Sequence, residues 1–165
     1  MIRLRKADLN DARQLYDWRN DAETRRASFN TLPIRYEDHL RWLKQKLSDQ
    51  HVRFLIAMDE ENLNLGYARL DLSADQAEIS LSLDKHQRGK GIGVAFIQAV
   101  TNYAVDDLKG RRVVARIKKS NVISASAFRR AGFRNAAAGE RAAGDSIAMV
   151  YEPGDSRVGS STNKR

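Results

Sequence analysis

The chain has 165 residues, with 29 Lys and Arg against 21 Asp and Glu, a net charge of +8 and no cysteine. That length suits one compact domain, and 42% hydrophobic residues are enough to fill its core, so disorder throughout is excluded. Without cysteine there is no disulfide, no thiolate metal site and no acyl-cysteine intermediate.

Residues Ile2 to Lys6 alternate apolar and basic as a half-exposed strand does, and Asp8 stands where a helix N-cap would. Ala12, Leu15, Tyr16 and Arg19 follow at helical spacing, and a second helix is predicted after Pro33 from Tyr36, Leu40, Leu43 and Leu47. The stretch between them, Trp18 to Asn30, reads as polar and irregular. Val52 to Met58, Leu65 to Leu72 and Ala77 to Leu83 read as strands joined by short turns, hence antiparallel neighbours. In the third strand Ala77, Ile79, Leu81 and Leu83 share one face, and Glu78, Ser80, Ser82 and Asp84 the other.

Ile92, Phe96, Val100 and Tyr103 mark a helix, and Val113, Ala115 and Ile117 a strand beyond it. Strand, helix and strand with so long a connection imply a right-handed parallel crossover. Asn121 caps a further helix ended by Gly132, Phe133 begins the return, and Ser146 to Tyr151 is the last strand. The expectation is a single domain over 1–151, with a polar tail over 152–165 read as disordered. No stretch approaches the roughly 20 apolar residues of a membrane span, and Met1 to Lys6 lacks a signal-peptide core, so a cytoplasmic protein away from membranes is expected.

The positive charge gathers in two clusters: Lys85, Arg88 and Lys90 among Gly89, Gly91 and Gly93, and Lys109, Arg111, Arg112, Arg116, Lys118 and Lys119. Neither carries the interleaved aromatics of single-strand binders, so nucleic acid is not the expected partner. His39, His51 and His86 are scattered without metal-ligand spacing, so no metal is expected. Arg88 to Gly93 joins a strand to a helix, and its glycines let backbone N–H groups turn toward one point at the positive end of the helix dipole. It is neither a Walker A loop nor the dinucleotide fingerprint, whose glycine spacings differ.

Arg88-x-x-Gly91-x-Gly93 resembles the acyl-CoA pyrophosphate loop of the GNAT superfamily of N-acyltransferases. Asn121-x-x-Ser124-x-x-x-Phe128-x-x-x-Gly132-Phe133 is similar to that superfamily's next motif. The resemblance implies an α/β (α+β) fold, with a central mixed, mostly antiparallel sheet, a parallel β-α-β crossover and flanking helices. Acetyl-CoA would be the co-substrate, held by Leu81, Leu83, Arg88, Gly89, Lys90, Gly91, Ile92, Gly93, Asn121, Ser124 and Phe128. Many relatives have Tyr where this chain has Phe128, which cannot protonate a departing thiolate; Tyr67, Tyr103 and Tyr151 are other hydroxyls in the chain.

Leu15 to Asp21, Ser28-Phe29-Asn30 and His39 to Leu43 resemble the acetyltransferases acting on nucleotide-linked 4-amino sugars in pseudaminic acid biosynthesis. The implied acceptor is the 4-amino group of a nucleotide-linked 6-deoxy sugar, with Arg19 and Asn20 beside it; Arg19 could grip a diphosphate through paired donors. The group that acetylates ribosomal-protein N-termini shares this layout, so protein or peptide amines are the alternative acceptor. A noncatalytic acyl-CoA-binding domain is the alternative without chemistry. Amide formation needs a neutral amine, and Glu78, on the polar face of the strand leading into the loop, is the expected base. Whether the chain is a monomer or a homodimer is left open.

Overall fold

The computed structural model describes residues 1–107, 112–137 and 144–154. Lys109 and Arg111 of the second basic cluster, and the tail beyond Gly154, lie outside them. Seven strands, β1 (Arg3–Lys6), β2 (Val52–Met58), β3 (Asn64–Leu72), β4 (Gln76–Leu83), β5 (Arg112–Lys118), β6 (Arg134–Asn135) and β7 (Ser146–Tyr151), form one sheet in the order β1-β2-β3-β4-β5-β7-β6. The helices are α1 (Ala12–Asn20), α2 (Ala22–Ala27), α3 (Tyr36–Ser48), α4 (Ile92–Asp107) and α5 (Val122–Arg130).

The sheet is covered on both faces, which explains why β2 is almost continuously apolar. Leu55 and Ala57 join the larger core with Phe96, Ile97, Val100 and Ala104 of α4, while Phe54 and Ile56 join Leu15, Trp18 and Leu43 of α1 and α3. The start of α1 is fixed by charge. Arg5 in β1 donates to both oxygens of Asp11 (2.8 and 2.6 Å), and Asp11 also accepts from the backbone N–H of Asp8 at 2.9 Å. Burial alone would raise the Asp11 pKa, but these bonds outweigh it and hold the carboxyl below its usual value.

The predicted elements recur with one notable difference. Within the stretch expected to be irregular lies α2, whose N-cap Asp21 accepts from the Thr24 N–H at 3.0 Å. Bulky Trp42 of α3 is only partly buried, its ring edge-on to Phe54 at 5.9 Å.

The single parallel pair, β4 with β5, is in register from Gln76↔Arg112 to Ile79↔Ala115 and no further. Beyond that point β4 stays paired with β3 up to Leu83↔Gly66, and β5 with β7 up to Lys118↔Ser146, so the two strands diverge while each keeps its outer partner. Gly66 is what lets β3 lie against the end of β4: a Cβ there would stand 2.3 Å from the Ser82 carbonyl oxygen and 3.0 Å from Leu83 Cα. Both obstacles are backbone and cannot turn aside. Gly66→Ala is expected to lower unfolding free energy by about 1–3 kcal/mol, as overpacking does, measured by urea denaturation.

Candidate active site

The divergence of β4 and β5 opens one wall of a cleft of about 560 Å³. Ser80, Leu81 and Ser82 of β4, Arg116 and Ile117 of β5, and Asn121, Ser124 and Phe128 of α5 line that wall. Arg19, His39, Trp42, Tyr67 and Arg69 line the other side. Asn121 has a structural task too: its side chain caps α5 by accepting from the Ser124 N–H at 3.1 Å.

The glycine loop follows a 3₁₀ turn, Lys85–Gln87, capped by Asp84, and leads straight into α4. Gly89 and Gly91 have φ of +74° and +77°, the left-handed region where a side chain is strained. Gly93 is different, since its φ is not positive and a Cβ on it would meet nothing within 4 Å. Packing therefore does not require glycine at 93; open space beside the α4 N-terminus suits the close approach of an anion to backbone N–H groups. The loop thus fits the pyrophosphate of acetyl-CoA.

Arg88 is turned toward α2. Its guanidinium donates to Glu23 and Asp21 (2.7 Å each), to Thr24 Oγ1 (2.9 Å) and to the Leu83 carbonyl (3.3 Å), so its charge is neutralised by α2. Lys90 is exposed, with Nζ 3.2 Å from Gln87 Oε1. Thr24 Oγ1 lies 3.1 Å from Ser82 Oγ, and Lys118 Nζ donates to the Arg26 carbonyl at 2.8 Å. Through these bonds α2 is tied to both diverging strands.

Glu78 does not line the cleft; its Oε2 lies 3.4 Å from Nε of Arg116, which does. Leu83 also stands outside the lining. Asn20 is not among the residues lining this cleft; its Oδ1 accepts from the Ile34 N–H and its Nδ2 donates to the Ile34 carbonyl, each at 2.9 Å. It fastens the segment ahead of α3. Arg19 does face the cleft: Nη2 donates to the Asn30 carbonyl at 2.9 Å, and Nη1 is buried with no partner among the described residues.

Sequence reasoning missed His39. The ring is 2% exposed, lies between Tyr16 and Trp42 (5.7 Å to each ring), and neither nitrogen has a hydrogen-bond partner among the described residues. Burial holds its pKa below the usual histidine value; the Ala12 backbone opposes this without making a well-formed bond, and the charge of Arg19 reinforces it. Of the three tyrosines named above, Tyr67 is the one in the cleft wall, and burial pushes its phenol pKa up. Among the described residues no group of His, Asp and Glu could hold a metal ion, and no helix is long and apolar enough to cross a membrane.

A model of the acetyltransferase (GNAT) domain matches residues 2–134, and the chain belongs to that family. It is accordingly an acetyl-CoA-dependent N-acetyltransferase. Among solved structures, spermidine N-acetyltransferase from Vibrio cholerae in complex with CoA and spermine superposes with a TM-score of 0.82 at 17% identity, covering 92% of this chain and 95% of that one. Aminoglycoside acetyltransferase AAC(6')-Ib in complex with coenzyme A gives 0.79 at 21% identity over 92% and 95%. A domain from Methanocaldococcus jannaschii gives 0.79 at 21% over 92% and 98%. At such identities the likeness is one of fold. No curated protein matches the chain in sequence.

Two outcomes follow from the site. Gly93→Leu should leave the melting temperature within a few degrees of wild type yet weaken acetyl-CoA binding at least about tenfold by calorimetric titration, because the new side chain occupies the anion's space. His39 sets a stability window: the unfolded chain binds its proton near about pH 6.5, where the folded ring stays neutral, so stability falls as pH drops below that value. In His39→Phe the decline of melting temperature between pH 7 and pH 5 should be shallower than in wild type.

Proposed function

We propose that the acceptor is an amine on an anionic small molecule, the 4-amino group of a nucleotide-linked 6-deoxy sugar. The observation that carries this reading is Arg19, whose Nη1 is buried in the cleft wall without a partner. A buried guanidinium donor left unmatched costs about 1–3 kcal/mol, and a phosphate oxygen relieves it with the fork geometry arginine offers. The charged side chains lining the cleft are Arg19, Arg69, Arg116 and Asp38. Asp38 is engaged by Arg41 at 3.1 Å, Arg69 by Asp71 at 2.7 Å and Arg116 by Glu78 at 3.4 Å, which leaves Arg19 as the cleft cation with no acid partner among the described residues. Spermine and aminoglycosides are polycations, and this balance of charge suits them poorly. Trp42 and Tyr67 add flat apolar surface for a base or sugar ring.

Acetyl-CoA supplies an acetyl carbonyl activated as a thioester. On this reading the N–H groups of Gly89, Gly91, Ile92 and Gly93 hold its pyrophosphate, and Leu81, Asn121, Ser124 and Phe128 flank the pantetheine arm. Arg88 serves by fixing the loop against α2, and Lys90 adds an exposed charge near the phosphates. Tyr67, kept protonated by burial, offers the hydroxyl that Phe128 lacks for the departing thiolate. Glu78 remains a proposed base, acting from behind Arg116.

CoA thiol release is measured with three amines in parallel: a nucleotide-linked 4-amino-6-deoxy sugar, spermidine and a peptide with a free N-terminus. Turnover of the nucleotide sugar is expected, and Arg19→Ala should raise its KM by about 10- to 100-fold, the loss of one charge-assisted bond, with kcat little changed. Turnover of spermidine alone would overturn the anionic acceptor, and turnover of the peptide alone would move the assignment to protein amines.

A further inference from the structure

His39 is a nearly fully buried imidazole in the cleft wall whose two nitrogens make no well-formed hydrogen bond among the described residues, the Ala12 backbone being its one polar neighbour there. Buried polar groups in folded proteins are overwhelmingly paired, and an unpaired one costs about 1–3 kcal/mol. Phenylalanine would fill the same space between Tyr16 and Trp42 without that cost. The neighbouring helix presents a second unpaired polar atom, Nη1 of Arg19, in the same wall. Two unmatched groups on α1 and α3, both lining one cleft, mark a place built for a ligand rather than for packing.

We propose that His39 is a catalytic base of this enzyme, taking the proton of the acceptor ammonium so that the neutral amine can attack the thioester carbonyl. The ammonium N–H bond breaks and an imidazole N–H bond forms; the C–N bond then forms as the C–S bond breaks with its electron pair on sulfur. The second proton leaves the new amide nitrogen, and the thiolate is protonated by the Tyr67 hydroxyl, which regains a proton from that nitrogen. Protonated His39 returns its own proton to water after product leaves. On this proposal, rotation about the soft ring torsion of histidine brings a nitrogen to the cleft that the residue lines.

The surroundings suit that role. The titratable and charged groups around the ring are Tyr16 and Arg19 of α1, Tyr36 and Asp38 of α3, and Tyr67 and Arg69 of β3 on the same side of the cleft. Burial and Arg19 keep the imidazole neutral at pH 7, the form that accepts a proton. Glu78, by contrast, lies outside the cleft lining and is engaged by Arg116.

The inference rests on this cleft being the acceptor site and holds for whichever amine enters it, so the test uses the amine turned over fastest in the panel above. A wrong nucleotide-sugar assignment then appears as turnover of a different amine and leaves the test intact. His39→Gln is expected to lower kcat/KM at pH 7 by about 10²-fold or more, with a deficit that shrinks as pH rises and the amine becomes neutral unaided. Acetyl-CoA affinity should be unchanged by calorimetry, and added imidazole should restore turnover to His39→Ala but not to Glu78→Gln. Should His39→Gln fail to bind acetyl-CoA, His39→Asn takes its place. The ¹⁵N shifts of the wild-type ring, which need no variant, should report a neutral imidazole at pH 7. Wild-type kcat/KM in His39→Gln overturns the proposal. So does a deficit equal at every pH with no rescue by imidazole, a charged ring at pH 7, or loss of the pH-dependent limb in Glu78→Gln alone.

Discussion

Everything at the site depends on two parallel strands that stop pairing after four residues. Because β4 keeps β3 and β5 keeps β7 beyond Ile79↔Ala115, the divergence sacrifices only the inner ladder, and the sheet remains one body on either side of it. A parallel pair also demands a long crossover, and here that crossover is α4. Its N-terminus necessarily lies at the end of β4 where the gap opens, so the glycine loop and the cleft are neighbours by topology. The helix dipole and the turned N–H groups then face the same mouth.

Charge is arranged to match. The backbone of the loop suits an anion, while its most conspicuous side chain, Arg88, is satisfied by Asp21, Glu23 and Thr24. That network, with Thr24 on Ser82 and Lys118 on the Arg26 carbonyl, makes α2 a bridge between the lips of the gap. The wall opposite the diverging strands is built from the adjoining helices and β3, so α2 is linked to both sides of the cleft. Arg19 is the exception among the described residues of the cleft wall, where its Nη1 is buried without a partner.

Much of this was legible beforehand. The strands Val52–Met58 and Ser146–Tyr151, the cap at Asn121 and the left-handed Gly132 (φ +102°) follow from patterns that local physics enforces. Six residues of α2, four of them charged or hydroxylated, carry no apolar period, and only the Asp21-to-Thr24 spacing signalled a cap. Asn20 and Arg19 looked alike in sequence, yet one is saturated by the backbone of Ile34 and the other is not, a distinction set by a contact fourteen residues away. His39 sits in the helical stripe of Tyr36, Leu40, Leu43 and Leu47 and read as scattered; its isolation arises from tertiary packing that no spacing encodes.

The open sheet has a further consequence for the chain's basic character. An unclosed sheet ends in two edges, each with backbone groups free to recruit a strand from another molecule. One edge is β1, with Arg3 and Lys6 at its exposed positions, and the other is β6, a two-residue strand beginning at exposed Arg134. Like charges and a strand too short to template disfavour sheet growth from one molecule into the next. Part of the +8 charge is thus a guard against self-association by the backbone, independent of any ligand.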